Sequence, residues 1–176
     1  IPAESMKDMV DLEEINLPKV TSVGVGAFDA DFTTVNMPAY QFNQAANACL
    51  LPNTIVKLNM GALGMNTTFP ASGLTLQGYT ALEEVTVKDS IVLGSNAFAG
   101  CTSLKKVIGA VVLDGVGVFQ NCTLLDSVVV KSKDVKANAF DGCSALKDVF
   151  YNAIGTALVP NKINDFAFKG TQVNLD

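Results

Sequence analysis

The sequence predicts a right-handed, β-rich solenoid of about 20–22 residues per coil, with one short parallel strand in each coil. Three observations predict it. Four aligned positions share a 21-residue period, and each repeat carries a Leu-x-x-Val core that alternates like a strand. The composition is 49% apolar and only 16% charged. A coil of this size cannot bury its apolar residues alone, but stacked coils share one continuous core.

The period is read from three segments that align without gaps: NAFAGCTSLKKV (96–107), GVFQNCTLLDSV (117–128) and NAFDGCSALKDV (138–149). Phe98, Phe119 and Phe140 stand 21 residues apart. Cys101, Cys122 and Cys143 keep the same step, as do Leu104, Leu125 and Leu146, and Val107, Val128 and Val149. A fixed period of this length is the signature of a repeat array.

Weaker copies flank these. Leu82 and Val85 match the Leu and Val positions, as do Leu12 and Ile15. Ala27-Phe28 and Ala167-Phe168 are further Ala-Phe sites. Phe32, Val35 and Met37 form a copy two residues short, and Cys49 with Ile55 keeps the Cys-to-Val step of six. Strand starts are therefore expected at Ile15, Val35, Ile55, Val85, Val107, Val128, Val149 and Val173. That makes one domain over 1–176 with about eight coils, the last incomplete. The step of 30 after Ile55 marks an insertion, placed at Gly61 to Gly78 and expected to leave the solenoid wall as a loop or cap. A smaller one is expected near Ile154–Lys162. Within coil three, a register with Val56, Leu58 and Met60 inward is preferred, because the other buries an unpaired Lys57.

Each element follows from its residues. The β-branched alternation after each Leu reads as a strand of three or four residues. A second apolar stretch follows, at Ile91–Leu93, Val111–Leu113 or Val135. Asn-Ala-Phe then opens a turn that Gly-Cys or Asn-Cys closes. Stacking makes Phe28, Phe98, Phe119, Phe140 and Phe168 an aromatic spine opposite the strands.

The pattern AFxxCxxLxxVxV in these segments resembles the BspA-like leucine-rich repeats of bacterial surface proteins, also found in some protozoa. The resemblance is strong over about 85–176, degraded over 10–60 and weak at 61–80. It implies a curved leucine-rich-repeat solenoid, secretion, and attachment or ligand binding at a cell surface. It supplies no catalytic residues, since the shared positions are structural. It implies a bacterial, extracellular or surface-anchored location, through a segment absent from these residues. The chain reads as a mature form or an excised fragment, and IPAESMKDMV lacks a signal-peptide pattern.

Composition removes most chemistry. The chain has no His, and its 12 basic residues are all Lys. There is no imidazole base, no His metal site and no guanidinium fork. A net charge of −5 argues against a nucleic-acid partner. No apolar run reaches the roughly 18 residues of a membrane span. No catalytic residue, cofactor or metal ligand is assigned.

The remaining candidates each have a bland reading. Cys101, Cys122 and Cys143 share one stacked position, and buried free thiols are expected, although adjacent rungs lie within disulfide reach. Glu13-Glu14 and Glu83-Glu84 point to opposite faces of a strand and read as solvated rim. Asp29 and Asp31 lack the repeated Asp ladder of calcium-binding solenoids. Gly24-Val25-Gly26 and Gly115-Val116-Gly117 lack the Lys-Ser/Thr of a phosphate loop. Asn66-Thr67-Thr68 and Asn121-Cys122-Thr123 are formal sequons, the second expected in a buried turn.

The informative positions face outward. With Val85, Val107, Val128 and Val149 inward, Thr86, Ile108, Val129 and Phe150 point out. Ile108, Val129 and Phe150 are expected to form one apolar line, rimmed by Lys106, Asp148, Lys88 and Lys131. This reads as a binding face for a protein or glycan ligand, as a self-association face, or as a surface covered by the 154–162 loop. The function expected is non-catalytic adhesion or ligand binding by a surface protein. A spacer domain of a larger surface protein is the alternative. A solenoid carbohydrate-active enzyme is disfavoured, because no base or paired carboxylates converge on the strand positions.

Overall fold

A computed structural model describes residues 2, 5–6, 9, 12–17, 27–28, 32–38, 51–61, 68–69, 76–87, 91–132, 134–151 and 162–174. Among them there are eleven short strands and no α-helix. The strands are β1 (Glu14–Asn16), β2 (Thr34–Pro38), β3 (Lys57–Gly61), β4 (Thr68–Phe69), β5 (Glu84–Val87) and β6 (Ile91–Leu93). Then come β7 (Lys106–Leu113), β8 (Ser127–Val130), β9 (Asp134–Val135), β10 (Asp148–Tyr151) and β11 (Lys162–Ile163).

The chain is a parallel leucine-rich-repeat solenoid. Its first wall runs β1-β2-β3-β5-β7-β8-β10, every pair parallel. The aliphatic positions stack rung on rung: Ile15 on Val35, Val35 on Leu58, Leu58 on Val85, Val85 on Val107, and Val128 on Val149. A second wall pairs β4 with β6 and β6 with the second half of β7, while β11 pairs with β9. Thus β7 serves both walls.

Asn and Gly recur in the turn between walls because it needs left-handed backbone twice. Before each Ala-Phe or Val-Phe, φ is positive at Asn96, Gly117 and Asn138. Before each Cys it is positive again, at Gly100, Asn121 and Gly142. Glycine lacks the Cβ penalty of this region, and Asn tolerates it best among the others. Phe98, Phe119, Phe140 and Phe168 then stack, with centroids 5.7, 5.7 and 5.4 Å apart and planes within 16°. Phe28 is also buried but departs from the expected spine. It meets Phe32 edge to face at 5.6 Å, because its coil is two residues short.

Turn hydrogen bonds correct the register of coil three. The N–H of Leu82, Leu104, Leu125 and Leu146 donates to the carbonyl three residues back, at Tyr79, Cys101, Cys122 and Cys143. Ile55 donates to Pro52 in the same way. Ile55 therefore holds the Leu position, and Leu58 starts the strand. Leu58 and Met60 are buried, as the preferred register expects, while Val56 is only half-buried and Lys57 is exposed. Pro52, not Cys49, takes the Cys position; Cys49 itself lies outside the described residues.

Two further expectations change. Gly61 to Gly78 does not simply leave the wall, since Thr68–Phe69 pairs with Val92–Leu93 as a regular rung. The step from Leu58 to Val85 is 27 residues, against 22 for the next, and the β4 rung lies within it. At the other end Val173 starts no strand, although it packs against the core. The smaller insertion at 154–161 lies outside the described residues.

Candidate functional site

Thiols were the first chemical candidates. Cys101, Cys122 and Cys143 are free and fully buried. Each Sγ donates to a carbonyl of the preceding coil: Leu76 at 3.2 Å, Phe98 at 3.1 Å and Phe119 at 2.9 Å. The turn thus uses sulfur as a short donor that ties coil to coil. Burial pushes the Cys101 thiol up to about 12. The hydrogen-bonding Cys143 thiol and burial also push Cys122 well above its usual range. Such thiols are poor nucleophiles.

Other turn candidates also find structural roles. A Cβ on Gly115 would lie 2.0 Å from the Ser95 nitrogen, so this glycine permits close coil packing rather than phosphate binding. Asn121 of the second sequon is exposed, which corrects its expected burial; only Cys122 of that turn points inward. Glu83 closes an ion pair with Lys105 at 2.9 Å, and Glu14 accepts from Asn36 Nδ2 at 2.6 Å. Among the described residues no cluster of three His, Cys, Asp or Glu could hold a metal ion, and no helix is long and apolar enough to cross a membrane. Asp29, Asp31, Gly24, Val25, Gly26, Asn66, Thr67 and Lys88 lie outside the described residues.

The outward face of the first wall is organised in two columns. One reads Glu14, Thr34, Lys57, Glu84, Lys106, Ser127 and Asp148, each beside the next in register. It mixes acidic and basic side chains and holds the predicted rim residues Lys106 and Asp148, both exposed. Lys131, the other described rim residue, is half-buried.

A second column grades from polar to apolar. It starts at Asn16, Asn36 and Asn59 and continues through Thr86 to Ile108. Asn59 Nδ2 donates to Asn36 Oδ1, and Asn36 passes the chain on to Glu14. This amide ladder was not read from the sequence, although Asn at matched offsets in three repeats was its signal. Beyond β7 the column ends with Val129 beside Phe150. Ile108 is 47% and Phe150 56% exposed, while Val129 and Thr86 are half-buried.

The expected single line through Ile108, Val129 and Phe150 is broken. Lys106 pairs with Ser127, but Ala110, not Ile108, pairs with Val129. Three residues of β7 therefore face one of β8, and the ladder slips by two. Gly109 is the physical cause: its φ of 101° suits glycine, and a Cβ there would lie 2.2 Å from the Val87 carbonyl oxygen. A glycine inside a strand often marks such a bulge. The apolar part of the face thus falls in two places, Ile108 and Val129–Phe150, with a step between them.

Among the described residues, fold and face define a parallel repeat array that presents an ordered outward sheet surface. The chain belongs to the BspA type leucine-rich repeat family: six copies of that repeat match over residues 75–175. Repeats of this family are typically protein-interaction modules, non-enzymatic and carried by bacterial surface proteins. A leucine-rich repeat protein from Bacteroides ovatus is similar at 18% identity and TM-score 0.46, over 98% of this chain and 56% of that one. Another, from Eubacterium ventriosum, is similar at 12% identity and TM-score 0.29, over 98% of this chain and 81% of that one. The chain thus spans about half the length of the Bacteroides protein. No curated protein matches it.

Proposed function

We propose that the chain is a non-catalytic binding module of a bacterial surface protein, acting in adhesion or ligand capture, and that its outward sheet face contacts a protein or glycan partner. The observation that carries this is Phe150, 56% exposed beside Val129 on a regular parallel face. Leaving a large aromatic in water serves no packing purpose, and rimmed apolar sites of this kind are characteristic of recognition surfaces. Lys106 and Asp148 supply the polar rim. The family association with bacterial surfaces supports the extracellular setting.

The test is binding of the purified chain to immobilised matrix proteins and to a glycan array, before and after Ile108→Asp and Phe150→Asp. The expected result is lost binding with an unchanged melting temperature. Unchanged binding in both variants would take the ligand off this face, and a wild-type chain that binds nothing would favour the spacer role.

A further inference from the structure

The outward column is unbroken from β1 to β7: Asn16, Asn36, Asn59, Thr86 and Ile108 stand beside one another in register. Its polar part runs against strand preference. Asn is depleted in strands, yet Asn occupies three successive rungs here. A local preference is broken most often where function requires it. The amides are also held in place. Asn59 Nδ2 donates to Asn36 Oδ1, and Asn36 Nδ2 donates to Glu14 Oε1 at 2.6 Å. This ladder uses only part of their capacity. The Asn59 side-chain oxygen and the second N–H of each of these two amides take no partner among the described residues.

The free groups say what the column accepts. A hydroxyl both donates and accepts, so it answers a free amide N–H and a free amide oxygen alike. Amides already ordered lose little further freedom on binding. They recur at the strand spacing of about 4.8 Å, close to the advance per ring of an extended β-1,4-linked glycan. Ile108, 47% exposed at the end of the run, offers an apolar surface to the C–H face of a sugar ring. Charge disfavours an acidic chain. Glu13 and Glu14 are exposed beside the amides, Glu84 stands next to Lys57 in register, and the net charge is −5. A protein partner is less well served. The chain has no Trp and no Arg, two of the residues that most often anchor protein interfaces.

We infer that a neutral, extended β-1,4-linked glycan lies lengthwise along this column, its hydroxyls bonded to the Asn36 and Asn59 amides and a ring face set on Ile108. The inference rests on the outward face being a binding surface, and it names the class of partner. Asn36 and Asn59 read hydroxyls, Asn16 and Thr86 extend the polar track on either side, and the apolar positions bind without selecting hydroxyl geometry.

The experiment titrates the full chain calorimetrically with cellohexaose, mannohexaose and chitohexaose, and with a heparin hexasaccharide. At least one neutral probe should bind, and the heparin probe should bind at least tenfold more weakly. An Asn36→Ala/Asn59→Ala variant should weaken the neutral probe about tenfold or more, the size expected from two lost hydrogen bonds. Its melting temperature checks the fold. Asn16→Ala, at an exposed position outside the ladder's own bonds, should weaken it about threefold and serves if the double variant unfolds. Binding of no neutral probe overturns the proposal, as does tighter binding of heparin. Capture of a matrix protein without any glycan also overturns it, while leaving the binding role of the face intact. Glycan binding that Ile108→Asp abolishes but the Asn variants leave unchanged overturns it too, and keeps the apolar positions as the site.

Discussion

Phe166 adopts the left-handed backbone that Asn138 adopts one coil earlier, with φ of 57° and 55°. Both precede an Ala-Phe pair, so the turn demands this conformation whatever the residue. A left-handed backbone costs a residue with a Cβ about 1–2 kcal/mol, and Asn bears it more easily than Phe. Phe166 recovers part through Lys169, whose Nζ lies 5.3 Å from the ring centroid, but the ring is 64% exposed. Phe166→Asn is expected to raise stability by about 0.5–1 kcal/mol in urea unfolding. A lower midpoint would mean that the exposed ring packs on something important in solution.

The stacked rings differ in what they support. Phe119 is fully buried with a ring at 5.7 Å on either side, whereas Phe168 is half-buried at the end of the stack. Phe119→Ala should cost about 3–5 kcal/mol. Phe168→Ala should cost less than half as much, since it removes one ring contact and leaves a collapsible site. Equal losses in denaturant titrations would contradict the stacking account.

Cys101, Cys122 and Cys143 should resist a thiol reagent at pH 8 in the native protein, while denatured protein should release four reactive groups, the full Cys complement. The same burial sets an alkaline limit. Cys101 ionises near 12 in the fold against an ordinary 9.0, so below pH 9 both states keep the proton and stability is complete. Above pH 9 only the unfolded thiol ionises, and stability is lost progressively toward pH 12, by about 1.4 kcal/mol per unit for one thiol. Melting temperatures across pH 8–11 test this, and Cys101→Ala should flatten the decline. An unchanged slope in that variant would remove Cys101 as its source.

Gly109→Ala should be destabilising by about 1–3 kcal/mol from its backbone alone. The Cβ clash with the Val87 carbonyl adds to that or forces the bulge to shift. If the bulge is what separates the two apolar sites, the variant should also change partner binding. A fully stable variant with wild-type binding would show that the step has no consequence.

The regular coils were legible because one residue type recurs at one role. Phe98, Cys101, Leu104 and Val107 set a pattern that 117–128 and 138–149 repeat letter by letter. Coil three was not, because Ile55, Val56, Leu58 and Met60 are all apolar and two of them compete for the strand start. The turn bond from Ile55 to Pro52 decides it, and sequence does not display such a bond. On the face, Val129 beside Phe150 followed from the 21-residue step, since no bulge lies between their strands. Ile108 shifted because pairing was extrapolated through Gly109, a residue whose presence inside KVIGAVVL was itself the warning. The β4 rung is two residues long, too short for periodicity to reveal.

The graded outward column gives the face a compass. From Asn16 to Phe150 there are seven rungs, about 29 Å at the usual strand spacing. Amide side chains hold water more firmly than an aliphatic or aromatic side chain does, so the two ends differ in what a ligand must displace, with the Gly109 step between them. A ligand lying across four or more rungs meets a one-way change of solvation, so turning it end for end mismatches both halves at once. Such a ligand is fixed in heading as well as in place, and whatever is tethered to its far end is delivered to one side of the solenoid only.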